Sequence, residues 1–142
     1  MENKKIEELA EYARNLKLNG MANSCQAVLL ALEDYTNLDI ETLKSIGSGF
    51  MAGMGNMEAT CGALIGANIA LGLMKEGNGT IKSSRTLIEE FKATCGATKC
   101  KDLKTITNSI SSLETEIQKG ENEKNNYIWF RRDWKDIINF KV

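Results

Sequence analysis

The chain has 142 residues, of which 42% are hydrophobic and 26% charged, a composition typical of one folded domain. Eighteen basic and nineteen acidic residues give a net charge of −1, which argues against a general nucleic-acid-binding protein. The sequence contains no histidine, and this excludes Ser-His and Cys-His nucleophile pairs, histidine-bearing zinc sites and histidine-ligated haem. It also contains no proline, so turns must be made by glycine and asparagine.

The hydrophobic spacing of the first forty-six residues predicts three helices. Apolar residues recur at three- and four-residue steps in a first amphipathic helix that ends near Asn19-Gly20. Asn23 or Ser24 is expected to cap the second helix, and Asp39 the short third one. The apolar residues expected on the inner faces of the second and third helices are Val28, Leu29, Leu32, Leu43 and Ile46.

The middle of the chain begins with a glycine-dense stretch, Gly47–Gly55, where the backbone is expected to bend or to approach a neighbour closely. A fourth helix, roughly 58–74, is apolar on most faces and should lie at the centre of the fold. Asn78-Gly79 predicts a turn and Thr80 a cap. The fifth helix should then face the core with Ile81, Leu87, Ile88 and Phe91.

The C-terminal part differs in pattern. Leucine and isoleucine residues from Leu103 to Ile117 follow a short heptad spacing, 120–126 is polar, and Tyr127–Val142 has an aromatic helical face. The predicted fold is all-α: a compact bundle of about five core helices in residues 1–103. Residues 104–142 are predicted to form a helical extension that packs on this core or on the partner in a homodimer.

The N-terminal and most apolar segments bear on location. Met1–Leu18 alternates charged and apolar residues, unlike a secretory signal, and Ala59–Met74 is shorter than the ~18 apolar residues of a spanning helix. We therefore expect a cytoplasmic protein without membrane insertion. Cysteines there stay reduced, which favours metal binding or redox chemistry over a disulfide framework.

Four cysteines are the candidate functional residues. Cys25 lies in the first turn of the second helix and Cys61 near the start of the fourth, where free N–H groups should favour the thiolate. Cys95 and Cys100 flank a small loop after the fifth helix. Four soft ligands could converge on one site, but free cysteine also packs as a small buried hydrophobe, and there is no C-x-x-C pair. Spacing leaves both interpretations open.

Several segments resemble one family. The segment Cys61–Gly66, CGALIG, resembles the CGAxxG signature of the C_GCAxxG_C_C family of redox-active proteins. Ser24–Leu30 is similar to the family's early cysteine-bearing helix, Gly47–Gly55 to its glycine-rich segment, and Cys100–Leu103 to its late Cys-x-x-Leu element. The likeness covers about residues 1–103.

This resemblance implies a redox-active protein, and a related domain in split-Soret cytochromes carries an iron–sulfur cluster. It implies that Cys25, Cys61 and Cys100 bind such a cluster, of the [2Fe–2S] type, with Cys95 either replacing the family's last cysteine or standing outside the site. Gly55 and Gly62, together with Gly53, would then let backbone N–H groups approach the cluster sulfurs, whereas Gly66 and Gly72 are expected to serve helix packing alone.

The expected function is electron transfer or redox sensing with an unidentified redox partner protein. One alternative is a thiol–disulfide oxidoreductase in which Cys61 attacks and Cys25 or Cys100 resolves. The other is a structural zinc site with all four cysteines as ligands. No nucleic acid is expected as a partner.

Overall fold

The computed structural model describes residues 3–75, 77, 79–103 and 105, and the fold is all-α as predicted. The helices are α1 (Asn3–Leu18), α2 (Ser24–Ala31), α3 (Glu33–Thr36), α4 (Ile40–Gly47), α5 (Gly62–Lys75) and α6 (Thr80–Cys95). A 3-10 turn (Ser48–Phe50) and a wide π-type turn (Gly53–Met57) connect α4 to α5. Within the described residues the only β pairing is a single antiparallel bridge between Thr60 and Lys99.

Helix α2 is at the centre of the fold. It packs most extensively against α5, and also against α1 and α4. Its buried residues are Cys25, Ala27, Val28, Leu29, Leu30 and Ala31. The second layer of the core comes from α5, whose buried residues are Gly62, Ala63, Leu64, Gly66, Ala67, Ala70 and Leu71. Because small residues line both helices, their backbones approach closely.

The predicted caps of α2 and α4 are confirmed. Asn23 forms a reciprocal capping box with Gln26, and the Asp39 side chain accepts a hydrogen bond from the Thr42 N–H. The first helix ends at Leu18, as its pattern predicts. The helix predicted at 58–74 begins only at Gly62, because the preceding residues form the bridge to Lys99.

The prediction for the last described helix is partly wrong. Leu87 and Phe91 are buried, but Ile81 is 76% exposed and Ile88 43% exposed. The buried face of α6 is completed by Ser83 and Ser84 instead, so it lies roughly a quarter-turn from the face that carries the isoleucines. Thr80 does not cap the helix: Gly79 is the N-cap residue, and no side chain bonds there.

Two further observations bear on the sequence predictions. No helix in the described part of the chain is both long and apolar enough to cross a membrane. The heptad segment beyond residue 105, the polar segment 120–126, the aromatic segment Tyr127–Val142 and the proposed dimer contact all lie outside the described residues, and the division at residue 103 stays a prediction.

Candidate functional site

Three of the four cysteines are carried by segments that come together where α5 begins. Cys25, on α2, is completely buried, while Cys61 and Cys100 are half-buried. The charge of a Cys61 thiolate would raise the pKa of Cys25, and a Cys100 thiolate would raise that of Cys61, so Cys61 lies within electrostatic range of both. None of the four cysteines forms a disulfide in the part of the chain that the structure describes. The segments that carry Cys25, Cys61 and Cys100 are thus close to one another, and the convergence of their sulfurs on one site stays a prediction.

The antiparallel bridge holds Cys61 and Cys100 in adjacent chain segments. The Cys61 N–H donates to the Thr98 carbonyl at 2.7 Å, and the Cys100 N–H donates to the Ala59 carbonyl at 3.0 Å. The two donors thus belong to the two cysteines themselves. These two hydrogen bonds attach the loop between Cys95 and Cys100 to the residues at the N-terminus of α5.

The N-terminus of α5 is built around the sulfur of Cys61. The Cys61 carbonyl accepts the first helical hydrogen bond, from the Ile65 N–H at 3.1 Å, which makes Cys61 the N-cap residue. The N–H groups of Ala63 and Leu64 donate hydrogen bonds to its side chain, and these bonds lower the pKa of the Cys61 thiol. The positive charge of Lys17, on α1, acts in the same direction.

Burial nevertheless decides the protonation of both thiols. Desolvation is the largest influence on Cys61 and leaves its pKa above the ordinary value of 9.0. For Cys25, desolvation and the neighbouring Cys61 raise the pKa to about 12. The expectation that a helix N-terminus would favour the thiolate is therefore wrong for both cysteines, because the loss of hydration raises each pKa; at Cys61 the helix N–H groups only partly offset it.

Two glycines allow α5 to approach Cys25. A Cβ atom at Gly66 would lie 2.8 Å from the Cys25 carbonyl oxygen, and one at Gly62 would lie 3.3 Å from the Cys25 nitrogen. The packing role expected of Gly66 is therefore confirmed. At Gly72 a Cβ atom would meet nothing within 4 Å, so packing does not require that glycine.

The glycine-rich stretch before α5 covers Cys100. A Cβ atom at Gly53 would lie 2.9 Å from the Cys100 Cβ, whereas Gly55 faces open space. The backbone here is left-handed at residues that are not glycine, with φ of 49° at Ala52, 62° at Met54 and 66° at Met57. Such conformations are costly and collect at functional sites. The contacts of Gly55 and Gly62 with a cluster stay predictions.

Cys95 has a different position. It is the last residue of α6 and is half-buried against the core. In the described part of the chain, no three histidine, cysteine, aspartate or glutamate side chains are arranged to hold a metal ion. The structure thus brings the segments of Cys25, Cys61 and Cys100 together, and a site shared by these three cysteines or by all four stays a prediction.

Sequence reasoning missed three contributors to this site. They are the bridge formed by Thr60 and Lys99, the Gln26 side chain that completes a capping box with the predicted cap Asn23, and the charge of Lys17. Of these, only Gln26 left a signal in the sequence, because Asn followed three residues later by Gln is the spacing of a capping box.

Among known proteins, the chain resembles one family. No curated protein and no solved structure matched the chain. A family model described as "Putative redox-active protein (C_GCAxxG_C_C)" matches residues 22–127, which include all four cysteines. This match covers most of the sequence, and the chain therefore belongs to the C_GCAxxG_C_C family of redox-active proteins.

Proposed function

We propose that this redox-active protein binds an iron–sulfur cluster through Cys25, Cys61 and Cys100, with Cys95 as a fourth ligand, and serves in one-electron transfer or redox sensing. The observation that carries the proposal is that the segments bearing Cys25, Cys61 and Cys100 come together at the start of α5, through the Thr60–Lys99 bridge and the close approaches at Gly53 and Gly62. Isolated cysteines that merely pack as small hydrophobes would have no reason to be neighbours.

The groups at this site are of the types that bind an iron–sulfur cluster. Cysteine thiolates are the usual ligands of iron–sulfur clusters, and N–H groups that bond to sulfur tune the reduction potential. Ala63 and Leu64 already direct their N–H groups at the Cys61 sulfur. When bound, the cluster would supply one-electron chemistry. The chain's own contribution is to supply the thiolates, to exclude water from Cys25 and to direct N–H groups at Cys61.

One observation favours a second function, thiol–disulfide exchange. Cys61 neighbours both Cys25 and Cys100, while no three ligands in the described residues are arranged for a metal. The Cys61 thiolate would attack the disulfide of an oxidised partner and form a mixed disulfide. Cys25 or Cys100 would then displace the partner as a thiol, so that two protein thiols lose two electrons and the partner gains a dithiol.

Anaerobic purification, with iron, sulfide and zinc analysis and a visible spectrum, separates the candidates. Iron, labile sulfide and colour are expected. Zinc without colour would instead indicate a structural zinc site. Metal-free protein whose thiol count falls by two on mild oxidation would indicate the exchange function. Either result overturns the cluster.

Two serine variants assign the ligands. Cys61→Ser should lose iron and colour while remaining folded by circular dichroism. The iron content of Cys95→Ser distinguishes a site with four cysteine ligands from a site with three. Full iron content and an unchanged spectrum in Cys61→Ser would contradict the ligand assignment.

A further inference from the structure

Two side-chain amides join the beginning of α2 to the end of α4. The Asn23 Oδ1 accepts from the Gln26 N–H at 2.9 Å, and the Gln26 Oε1 accepts from the Asn23 N–H at 3.0 Å. The remaining amide nitrogens point to α4: Asn23 Nδ2 donates to the Gly47 carbonyl at 3.1 Å, and Gln26 Nε2 donates to the Lys44 carbonyl at 3.0 Å. Each amide therefore uses its oxygen within α2 and its nitrogen on α4.

This arrangement satisfies two helix ends at once. The first N–H groups of a helix and its last carbonyls lack partners within the helix itself. Asn23 and Gln26 supply acceptors to the first turn of α2 and donors to the last turn of α4. Gly47 also lacks a side chain where one would collide with Gln26, since its Cβ would lie 2.8 Å from the Gln26 Cγ. The two helix ends are thus built to fit each other.

Cys25 lies between the two amide residues in the sequence. Its backbone is also closely packed against α5. Its backbone nitrogen and carbonyl oxygen pack where Gly62 and Gly66 leave room for them. The first turn of α2 is therefore fixed to α4 by hydrogen bonds and to α5 by close packing. The location of the buried thiol relative to Cys61 depends on both sets of contacts.

We propose that Asn23 and Gln26 are positioning residues of the redox site, which hold Cys25 at its buried place beside Cys61. The inference deepens the proposed function and rests on it for its redox consequence. Neither residue contacts the reacting group in this role; each acts through the backbone of the turn that carries Cys25. Loss of the amides should release this turn without removing any cysteine.

The test measures the alkylation of each cysteine by N-ethylmaleimide in the folded, full-length protein, followed by peptide mass spectrometry. It is run on the protein as purified and again after treatment with chelator and reductant. Gln26→Ala removes both hydrogen bonds of the Gln26 side chain but keeps a residue that favours helix. We expect the Cys25 rate to rise about tenfold, the combined effect of losing one part-buried and one exposed hydrogen bond, with Cys95 and Cys100 changing less than about twofold.

One further variant separates the two hydrogen bonds of the Gln26 side chain, and another is the control. Gln26→Glu keeps the oxygen that accepts from Asn23 but loses the donor to α4, so its effect on Cys25 should be intermediate. Asp39→Ala removes a cap at the other end of α4 and should leave the Cys25 rate unchanged. Where the purified protein carries a chromophore or a disulfide couple, Gln26→Ala should also shift its midpoint potential, and Asp39→Ala should not.

Three results would contradict the positioning role of Asn23 and Gln26. If all four cysteines become reactive together in Gln26→Ala, or if Asp39→Ala exposes Cys25 equally, the amides support only global stability and the positioning role is wrong. An unchanged Cys25 rate in Gln26→Ala also overturns it. Alkylation measures the accessibility of Cys25 with or without a cluster. The result can therefore be interpreted even if the protein binds no iron–sulfur cluster.

Discussion

Cys25 and Cys61 show how two sulfur atoms at helix N-termini differ in their surroundings. The Cys61 side chain receives two backbone N–H bonds and the field of Lys17, and these influences partly offset its burial. Cys25 is buried beside another cysteine, and its pKa rises to about 12. At neutral pH both are therefore neutral thiols in this state. Binding a metal ion or forming a disulfide must release their protons.

The raised pKa of Cys25 predicts a loss of stability at alkaline pH. Folding holds the proton on Cys25, whereas the unfolded chain releases it above the ordinary pKa of 9.0. The contribution of this thiol to stability is complete below pH 9 and declines as the pH rises toward 12, by up to about 1.4 kcal/mol per pH unit. Urea unfolding of metal-free, reduced protein between about pH 7.5 and 10.5 measures this decline.

Cys25→Ala is the matched control for this titration. The variant lacks the ionisable group, so its free energy of unfolding should fall less steeply with pH than that of the natural chain. Parallel curves for the two proteins would show that Cys25 is not shielded from ionisation.

At the residue scale, the sequence predicts which cysteines matter but not their chemistry. The resemblance of Cys61–Gly66 to a family signature, together with the elements around Cys25 and Cys100, selected three cysteines whose segments the fold brings together. Spacing could not do so, because the contacts join residues more than thirty positions apart. The pKa of Cys25 was predicted in the wrong direction because a helix N-terminus is visible in a sequence, whereas the depth of burial is not.

At the element scale, the close packing of α2 on α5 depends on Gly66. Gly66→Ala would place a methyl group 2.8 Å from the Cys25 carbonyl oxygen and 3.2 Å from the Val28 Cβ. The two helices must then separate, which we expect to lower the free energy of unfolding by about 1–3 kcal/mol. The same helix supplies a control, Gly72→Ala, which meets nothing within 4 Å and should raise stability by up to about 1 kcal/mol. Urea unfolding should give opposite signs, and a stabilising Gly66→Ala would disprove the packing argument.

The left-handed segment between α4 and α5 gives a second prediction at this scale. Ala52 has φ 49° and ψ 48°, a conformation that alanine adopts at a cost and glycine does not. Ala52→Gly should therefore raise the free energy of unfolding by about 0.5–1 kcal/mol, after the greater entropy of the unfolded chain is subtracted. Ala67→Gly, in the buried middle of α5, should lower it by about 1–2 kcal/mol. A destabilising Ala52→Gly would show that this backbone is not strained.

The elements that the sequence predicted well are those with local signals. Asn23 and Asp39 are capping residues, so α2 and α4 were placed correctly from the residues before them. Helix α3 has only four residues, too few to show a period, and it was missed. The bridge between Thr60 and Lys99 is one residue pair without alternation, so nothing in either segment indicates it. It forms only because the tertiary fold brings the end of α6 to the start of α5.

At the scale of the whole molecule, α1 lies outside the part of the chain that the family model matches. The match begins at residue 22, after α1 has ended. The helix nonetheless contributes Ala10, Ala13 and Leu16 to the core and packs against α2. Through Lys17, in its last turn, it also brings a positive charge that lowers the pKa of Cys61. We therefore expect this helix to influence the reactivity of Cys61 in addition to its packing role.

Lys17→Met tests that influence. Because the Lys17 charge lowers the pKa of the Cys61 thiol, its removal should raise this pKa and reduce the thiolate fraction. We expect the alkylation of Cys61 by iodoacetamide near neutral to mildly alkaline pH to slow about twofold, and the difference to shrink at high salt because exposed charges are screened. Lys44→Met, an exposed lysine of α4, serves as the control and should leave the Cys61 rate unchanged. Equal rates for Lys17→Met and the natural chain at low salt would confine α1 to packing, whereas a slower rate specific to Cys61 would show that α1 tunes the reactive thiol.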